Sequence, residues 1–285
     1  MKRLSPIYVF ILSYFSCRAQ NLVPNYSFEK YTACVTQIDE YTGGVADWTG
    51  QEGSGGLSYC TAQCPDSSNK SLSAGVPYNA VGFQHAHTGL SYTEMNTFIN
   101  GSTDTVFPYG RTVYLNYRNY IEAKLIDTLK TGITYYVTFF INLADSSDYA
   151  CNDIGAYFSD STLSFNSEYA KSYLIPQVAN NPIKHPLTDT MNWMKVSGSF
   201  VAKGGETYII IGNFKNDSLS SITYLGKRSP DATAAYYYVD DVIVSADSTT
   251  SINEINASSE NVNVFPNPSN GNYELRITNF KFAGI

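Results

Sequence analysis

Between residues 21 and 245 the chain shows no long amphipathic helix; what recurs is alternation of apolar and polar side chains, the period of a β-strand. In the stretch ITYYVTFFINLA (133–144), Tyr135, Val137, Phe139, Ile141 and Leu143 share one face. In TYIIIGNF (207–214), Tyr208 and Ile210 oppose Ile209 and Ile211, so both faces are apolar, as on a central strand. YYYVDDVIV (236–244) repeats the theme. RTVYLNYRNYIEAKL (111–125) carries enough β-branched and aromatic residues for one or two strands, and VGFQHAH (81–87) for another. Lys130-Thr131-Gly132 and Lys203-Gly204-Gly205 read as turns between strands. The expectation is an all-β, antiparallel sandwich of about 225 residues.

Composition narrows the functions such a sandwich can serve. The formal net charge is −7, which leaves nothing to neutralise a phosphate backbone, so nucleic acid is excluded as a partner. Charged residues are only 15% of the chain while tyrosine supplies 24 positions and phenylalanine 15, too aromatic for a disordered chain.

The two ends read differently from the body. MKRLSPIYVFILSYFSCRAQ (1–20) has a basic start, an apolar run and a small-residue step at Cys17-Arg18-Ala19, the build of a secretory signal peptide. Its apolar run is shorter than the ~20 residues a membrane span needs, and no later stretch is long and apolar enough, so no membrane span is expected after cleavage. An exported chain keeps Cys34, Cys60, Cys64 and Cys151, for which two disulfides in any of three pairings are expected. A zinc site from Cys60, Cys64, His85 and His87 is the lesser reading, because those spacings match zinc ribbons and fingers poorly. Residues 247–260 read as a linker, being small, polar and without periodicity. After it, VNVFPNPSNGNYELRI (262–277) reads as two strands around a Pro266-Asn267-Pro268 turn and an Asn270-Gly271 hairpin signal, too few for a stable domain.

That tail (261–285) resembles the opening of the C-terminal sorting domain of type IX secretion substrates in Bacteroidetes, with the later strands of that domain missing. The resemblance implies the type IX secretion machinery as a partner of the full domain. The body (21–246) resembles galactose-binding-like jelly-roll modules, as in many carbohydrate-binding modules. NLVPNYSFE (21–29) matches their opening strand and YYYVDDVIV their closing one. The segments GFQHAHTGLSY (82–92), YIEAKL (120–125), YYVTFFINLADSSDYA (135–150), IGAYFS (154–159) and GGETYIIIGNF (204–214) look like a group of exported Bacteroidetes proteins.

This resemblance implies a jelly-roll fold and a structural calcium shared by Glu29 of the opening segment and Asp240 or Asp241 of the closing strand. Calcium needs several hard oxygens, and acids that converge only on folding make its binding stabilise the fold. By alternation Asp240 shares the core face with Val242 and Val244, and Asp241 points to solvent. The competing reading is that Glu29 and Asp240 accept backbone hydrogen bonds at a strand end.

Sugar binding in such folds uses exposed rings flanked by hydrogen-bonding side chains, which nominates Trp48, Tyr59, Gln84, His87 and Tyr109; Trp193 precedes a strand and reads as buried. His85 and His87 lie two apart in an expected strand, and so on one face. The polar stretch 215–235 between two strong strands is a long loop of the kind that carries function. No G-x-S-x-G elbow or other catalytic motif is present. The expectation is therefore an exported, non-catalytic carbohydrate-binding module with a glycan partner, at the cell surface or secreted. A structural or adhesive surface protein with a protein partner is the alternative, and a glycoside hydrolase on the same fold a more distant one.

Overall fold

In the computed structural model, the described residues are 20–35, 44–50, 58–64, 73–100, 103–106, 110–113, 116–163, 171–181, 183–226, 234–246, 261–265 and 274–278. Residues 1–19 of the expected leader, the expected linker 247–260 and Tyr109 lie outside them. Two compact units divide at residue 250.

The larger unit is an antiparallel jelly-roll sandwich of two five-stranded sheets. The first sheet runs β1 (Trp48–Gly50), β8 (Tyr120–Lys124), β14 (Tyr208–Gly212), β11 (Gly155–Ser159) and β12 (Val178–Ala179). The second runs β13 (Met194–Val201), β9 (Thr134–Leu143), β16 (Ala234–Ser245), β5 (Ser91–Ile99) and β2 (Ser58–Thr61). Smaller pairs join β3 (Tyr78–Asn79) to β4 (Gly82–Phe83), β6 (Thr103–Val106) to β7 (Gly110–Val113), and β10 (Tyr149–Cys151) to β15 (Ile222–Tyr224).

The sheets follow from the alternation. Tyr135, Val137, Phe139, Ile141 and Leu143 of β9 are all buried in the core between the sheets, where Ile209 and Ile211 of β14 meet them in the same cluster. As the doubly apolar pattern of 207–214 requires, β14 is the middle strand of its sheet. Its Ile210 faces the other way, into a separate cluster with Tyr120 and Phe214, packed by Leu163 and Leu174. The chain is held there on both sides of the undescribed residues: Thr162 and Leu163 donate to the Glu122 carboxylate, and Lys171 N–H donates to the Tyr120 hydroxyl.

Two expectations are corrected, and part of the polar loop is placed. VGFQHAH is a strand only at Gly82–Phe83, so His85 and His87 lie in a loop and do not share a strand face. NLVPNYSFE is not a regular strand: residue 22 runs beside the closing strand through Leu22 N–H to Val244 O at 2.8 Å, and the chain then turns, with Asn25 and Phe28 at positive φ. The described part of the polar loop, 215–226, is tied into the sandwich. The Arg118 guanidinium, fully buried, donates to Lys215 O, Asp217 and Ser220 and lies 5.7 Å from the Phe98 ring centre. Asn116 and Asp217 exchange backbone-to-side-chain bonds at 2.7 and 2.8 Å beside it.

The smaller unit is described as one antiparallel pair, β17 (Asn261–Phe265) and β18 (Glu274–Thr278), with Val262 opposite Ile277 and Val264 opposite Leu275.

Candidate functional site

The closing strand carries the first constellation. Along β16 the core-facing residues are Ala235, Tyr237 and Val239, and then Val242 and Val244. The phase changes because one extra residue is inserted between Asp240 and Ile243 relative to β9, a β-bulge with Asp241 at φ +48°. Asp240 therefore does not share the core face of Val242 and Val244. It stands opposite Phe140, on the face covered by the 87–91 turn. Nor does Asp241 reach solvent; both acids are fully buried.

Each carboxylate oxygen has a donor. Asp240 Oδ2 accepts His87 N–H at 2.9 Å and Thr88 N–H at 3.2 Å, and its Oδ1 accepts Asp241 N–H at 2.7 Å. Asp241 Oδ2 lies 2.5 Å from His87 Nδ1, and its Oδ1 accepts the Thr88 hydroxyl at 2.7 Å. At the far end of the same turn, Glu29 Oε1 accepts Leu90 and Ser91 N–H at 2.8 and 3.0 Å, and Oε2 accepts Gln63 Nε2 at 2.8 Å. The opening and closing segments thus do run together, and their acids clasp the two ends of one turn. Burial, with the neighbouring Asp241 charge, pushes the Asp240 carboxyl well above the ordinary carboxylate range.

This donor set does not fit calcium. The oxygens a calcium ion would need are taken by N–H and O–H groups whose positive ends point at them. Among the described residues no group of three or more His, Cys, Asp or Glu side chains is placed to hold a metal. The expected result of adding EDTA is an unchanged thermal unfolding midpoint, read by circular dichroism; a fall of several degrees, restored by calcium, would contradict the clasp.

The cysteines separate in the same way. Cys34 and Cys64 form a disulfide, with Cα atoms 5.5 Å apart. The second disulfide expected of Cys60 and Cys151 does not form. Cys60 is buried with Tyr92, Ala144 and Tyr238, whereas Cys151 lies in the main core, where burial pushes its thiol up to about 11. The zinc set of Cys60, Cys64, His85 and His87 is broken by the disulfide at Cys64.

Of the expected ring contacts, Trp48 and Tyr59 are core residues. Trp48 is 5% exposed, packs on Phe28 at 5.0 Å and donates to Asn25 O; Tyr59 is 1% exposed and donates to Phe28 O. Gln84 is also buried, its amide donating to Met191 O. His87 is partly exposed but stacked on Phe140 at 3.8 Å and held by Asp241. Trp193 packs in the Tyr92–Tyr238 cluster and donates to His85 O.

Among the solvent-facing rings, two that the sequence did not single out share one hairpin. Tyr78 is 64% and Phe83 40% exposed; they are opposite each other in the β3–β4 hairpin, with ring centres 4.6 Å apart, and His85 continues the row 5.4 Å from Phe83. The hairpin is rigidly backed. Phe83 N–H donates to Asp145, Gln84 N–H to Pro77 O, Ser146 N–H to Val81 O, and the Tyr238 hydroxyl to Asn79. Gly82 is required here, because a Cβ would lie 2.8 Å from Asp145 N. The arrangement is a fixed row of ring faces and edges beside a carboxylate, able to stack against a flat apolar face.

No family model and no curated protein matches the chain. Solved structures similar to it include the K1 cleaved adhesin domain of Lys-gingipain from Porphyromonas gingivalis W83, at 13% identity over 78% of this chain and 96% of that one, with a TM-score of 0.38. The CBM22-1 xylan-binding domain of Xyn10C from Paenibacillus barcinonensis is similar at 13% identity, 77% and 90% coverage, and a TM-score of 0.36. TmCBM61 in complex with beta-1,4-galactotriose is similar at 13% identity, 79% and 97% coverage, and a TM-score of 0.30.

Proposed function

We propose that the sandwich is a non-catalytic glycan-binding module of an exported protein, and that its contact surface is the row Tyr78–Phe83–His85. The observation that carries this reading is the exposure of three adjacent rings on a hairpin whose backbone is fixed from behind. Pyranose rings have apolar faces that stack on aromatic side chains, and a surface already fixed loses little entropy on binding. The hydrogen bonds accepted by Glu29, Asp240 and Asp241 hold the 87–91 turn and Gln63, which supports a positioning role for these acids. Export is supported by the leader-like first twenty residues and by the Cys34–Cys64 disulfide, which persists in oxidising compartments.

The test is a glycan array probed with the purified full chain and with a Tyr78→Ala/Phe83→Ala variant. Exposed aromatic anchors are worth about 1–2 kcal/mol each, so the variant should bind its best neutral glycan at least about tenfold more weakly with an unchanged unfolding midpoint. Absence of any glycan ligand, or a variant that binds as well as the parent, would overturn the reading in favour of a protein partner.

A further inference from the structure

A second concavity lies between residues 179–181 and 184–187 and the edge strand β13. It is a cleft of about 720 Å³, within the range of small-molecule and oligosaccharide sites. The chain that forms it is acidic, with 25 Asp and Glu against 18 Lys and Arg. Among the described residues the cleft lining nevertheless holds no acid, and it has Lys184, Lys195 and His185.

The groups around the cleft are donors. Lys184 and Lys195 are exposed, and neither ammonium is in an ion pair among the described residues. Asn181 uses its side-chain oxygen to accept Ile183 and Lys184 N–H, which fixes the turn. Ser197 adds a hydroxyl, and Met194, partly buried against the core, adds apolar surface. The nearby acids are engaged elsewhere: Asp189 accepts Met191 and Asn192 N–H, and Asp153 pairs with Lys215 at 2.8 Å. A cleft that concentrates positive charge on a negative protein selects a negative ligand, because any other acid-bearing surface of the molecule repels it.

We infer that this cleft is a second binding site, distinct from the ring row, that takes an anionic sugar residue through Lys184, Lys195 and the Asn181 amide. Charge-assisted bonds from two lysines supply the recognition, and the partly buried Met194 gives the sugar ring an apolar contact. The shared chemistry is a carboxylate or sulfate ester carried on a pyranose.

Isothermal titration calorimetry of the full chain with short oligogalacturonate, a sulfated oligosaccharide and a neutral galactan oligomer tests it. The parent should bind at least one anionic chain. Lys184→Gln/Lys195→Gln should weaken that binding roughly tenfold or more. Raising NaCl from about 0.05 to about 0.5 M should weaken it severalfold as well. The anionic probe that binds identifies the group recognised.

Tyr78→Ala/Phe83→Ala should leave the anionic binding in place while it removes neutral binding, so failure of the ring reading and failure of this one are told apart. Absence of anionic binding by the parent, or anionic binding unchanged in the lysine variant at an unchanged unfolding midpoint, overturns the site. So does an equal loss of neutral-glycan binding in the lysine variant.

Discussion

Asp240→Ala is expected to lower the unfolding midpoint by about 10 °C, the loss of roughly 3–5 kcal/mol in a domain of about 225 residues. The carboxylate accepts three backbone N–H groups, those of His87, Thr88 and Asp241, and its removal leaves them without an acceptor at a buried bulge. Each orphaned buried donor costs about 1–3 kcal/mol, more than the net value of the bond it replaces. The size of the loss depends on pH in a fixed direction. The folded-state pKa of Asp240 is raised from 3.8, so between that value and the raised one the folded chain holds more protons than the unfolded chain. Stability contributed by this group is therefore full below about 3.8 and declines as pH rises, and the gap between parent and variant narrows with it. A gap that widens with pH in chemical denaturation would contradict the assignment.

The second large effect is expected at the Arg118–Asp217 pair, where the two partners differ in burial. Arg118 is fully buried, whereas the Asp217 side chain is 25% exposed, at 2.8 Å. Asp217→Ala strands a cation in the interior and should cost about 3–5 kcal/mol. Arg118→Met removes that cation, keeps much of the contact with Phe98 and leaves an acid that can turn to water, so it should cost less. The double variant should be more stable than Asp217→Ala alone, a coupling that denaturant titration of the four proteins measures. Equal costs for the two single variants would show that the pair acts by position and not by charge.

Much of the fold could be read from the chain because the strands that make it carry one-period patterns. Tyr135 to Leu143 can alternate only as a half-buried strand, and Tyr208 to Ile211, apolar on both sides, can sit only inside a sheet. The bulge could not be read from strict alternation, yet its trace is present: Tyr237 and Val239 hold one phase, Val242 and Val244 the other, and the phase changes at the two aspartates. An apolar pattern that slips by one residue at a pair of acids marks the extra residue.

The β5 strand carries Ser91, Thr93, Glu94, Asn96 and Thr97, a polar run with no alternation to find, because the 73–90 segment covers what would otherwise be its open face. The candidate site was less legible for a related reason. Trp48, Tyr59, Tyr78 and Phe83 are alike as sequence, and only the tertiary neighbours decide that the first two fill the core and the last two face water. His87 reads from the sequence as a ligand contact, and its place in the clasp was not legible, because it stacks on a ring that alternation put on the far side of β9.

The most direct test of the account is a two-dimensional aromatic NMR spectrum of the full chain titrated with its best neutral oligosaccharide. The account predicts that the ring resonances of Tyr78, Phe83 and His85 shift together and saturate at one dissociation constant, while those of Trp48 and Tyr59 stay fixed. Shifts centred on other rings, with the Tyr78–Phe83 hairpin unmoved, would contradict it.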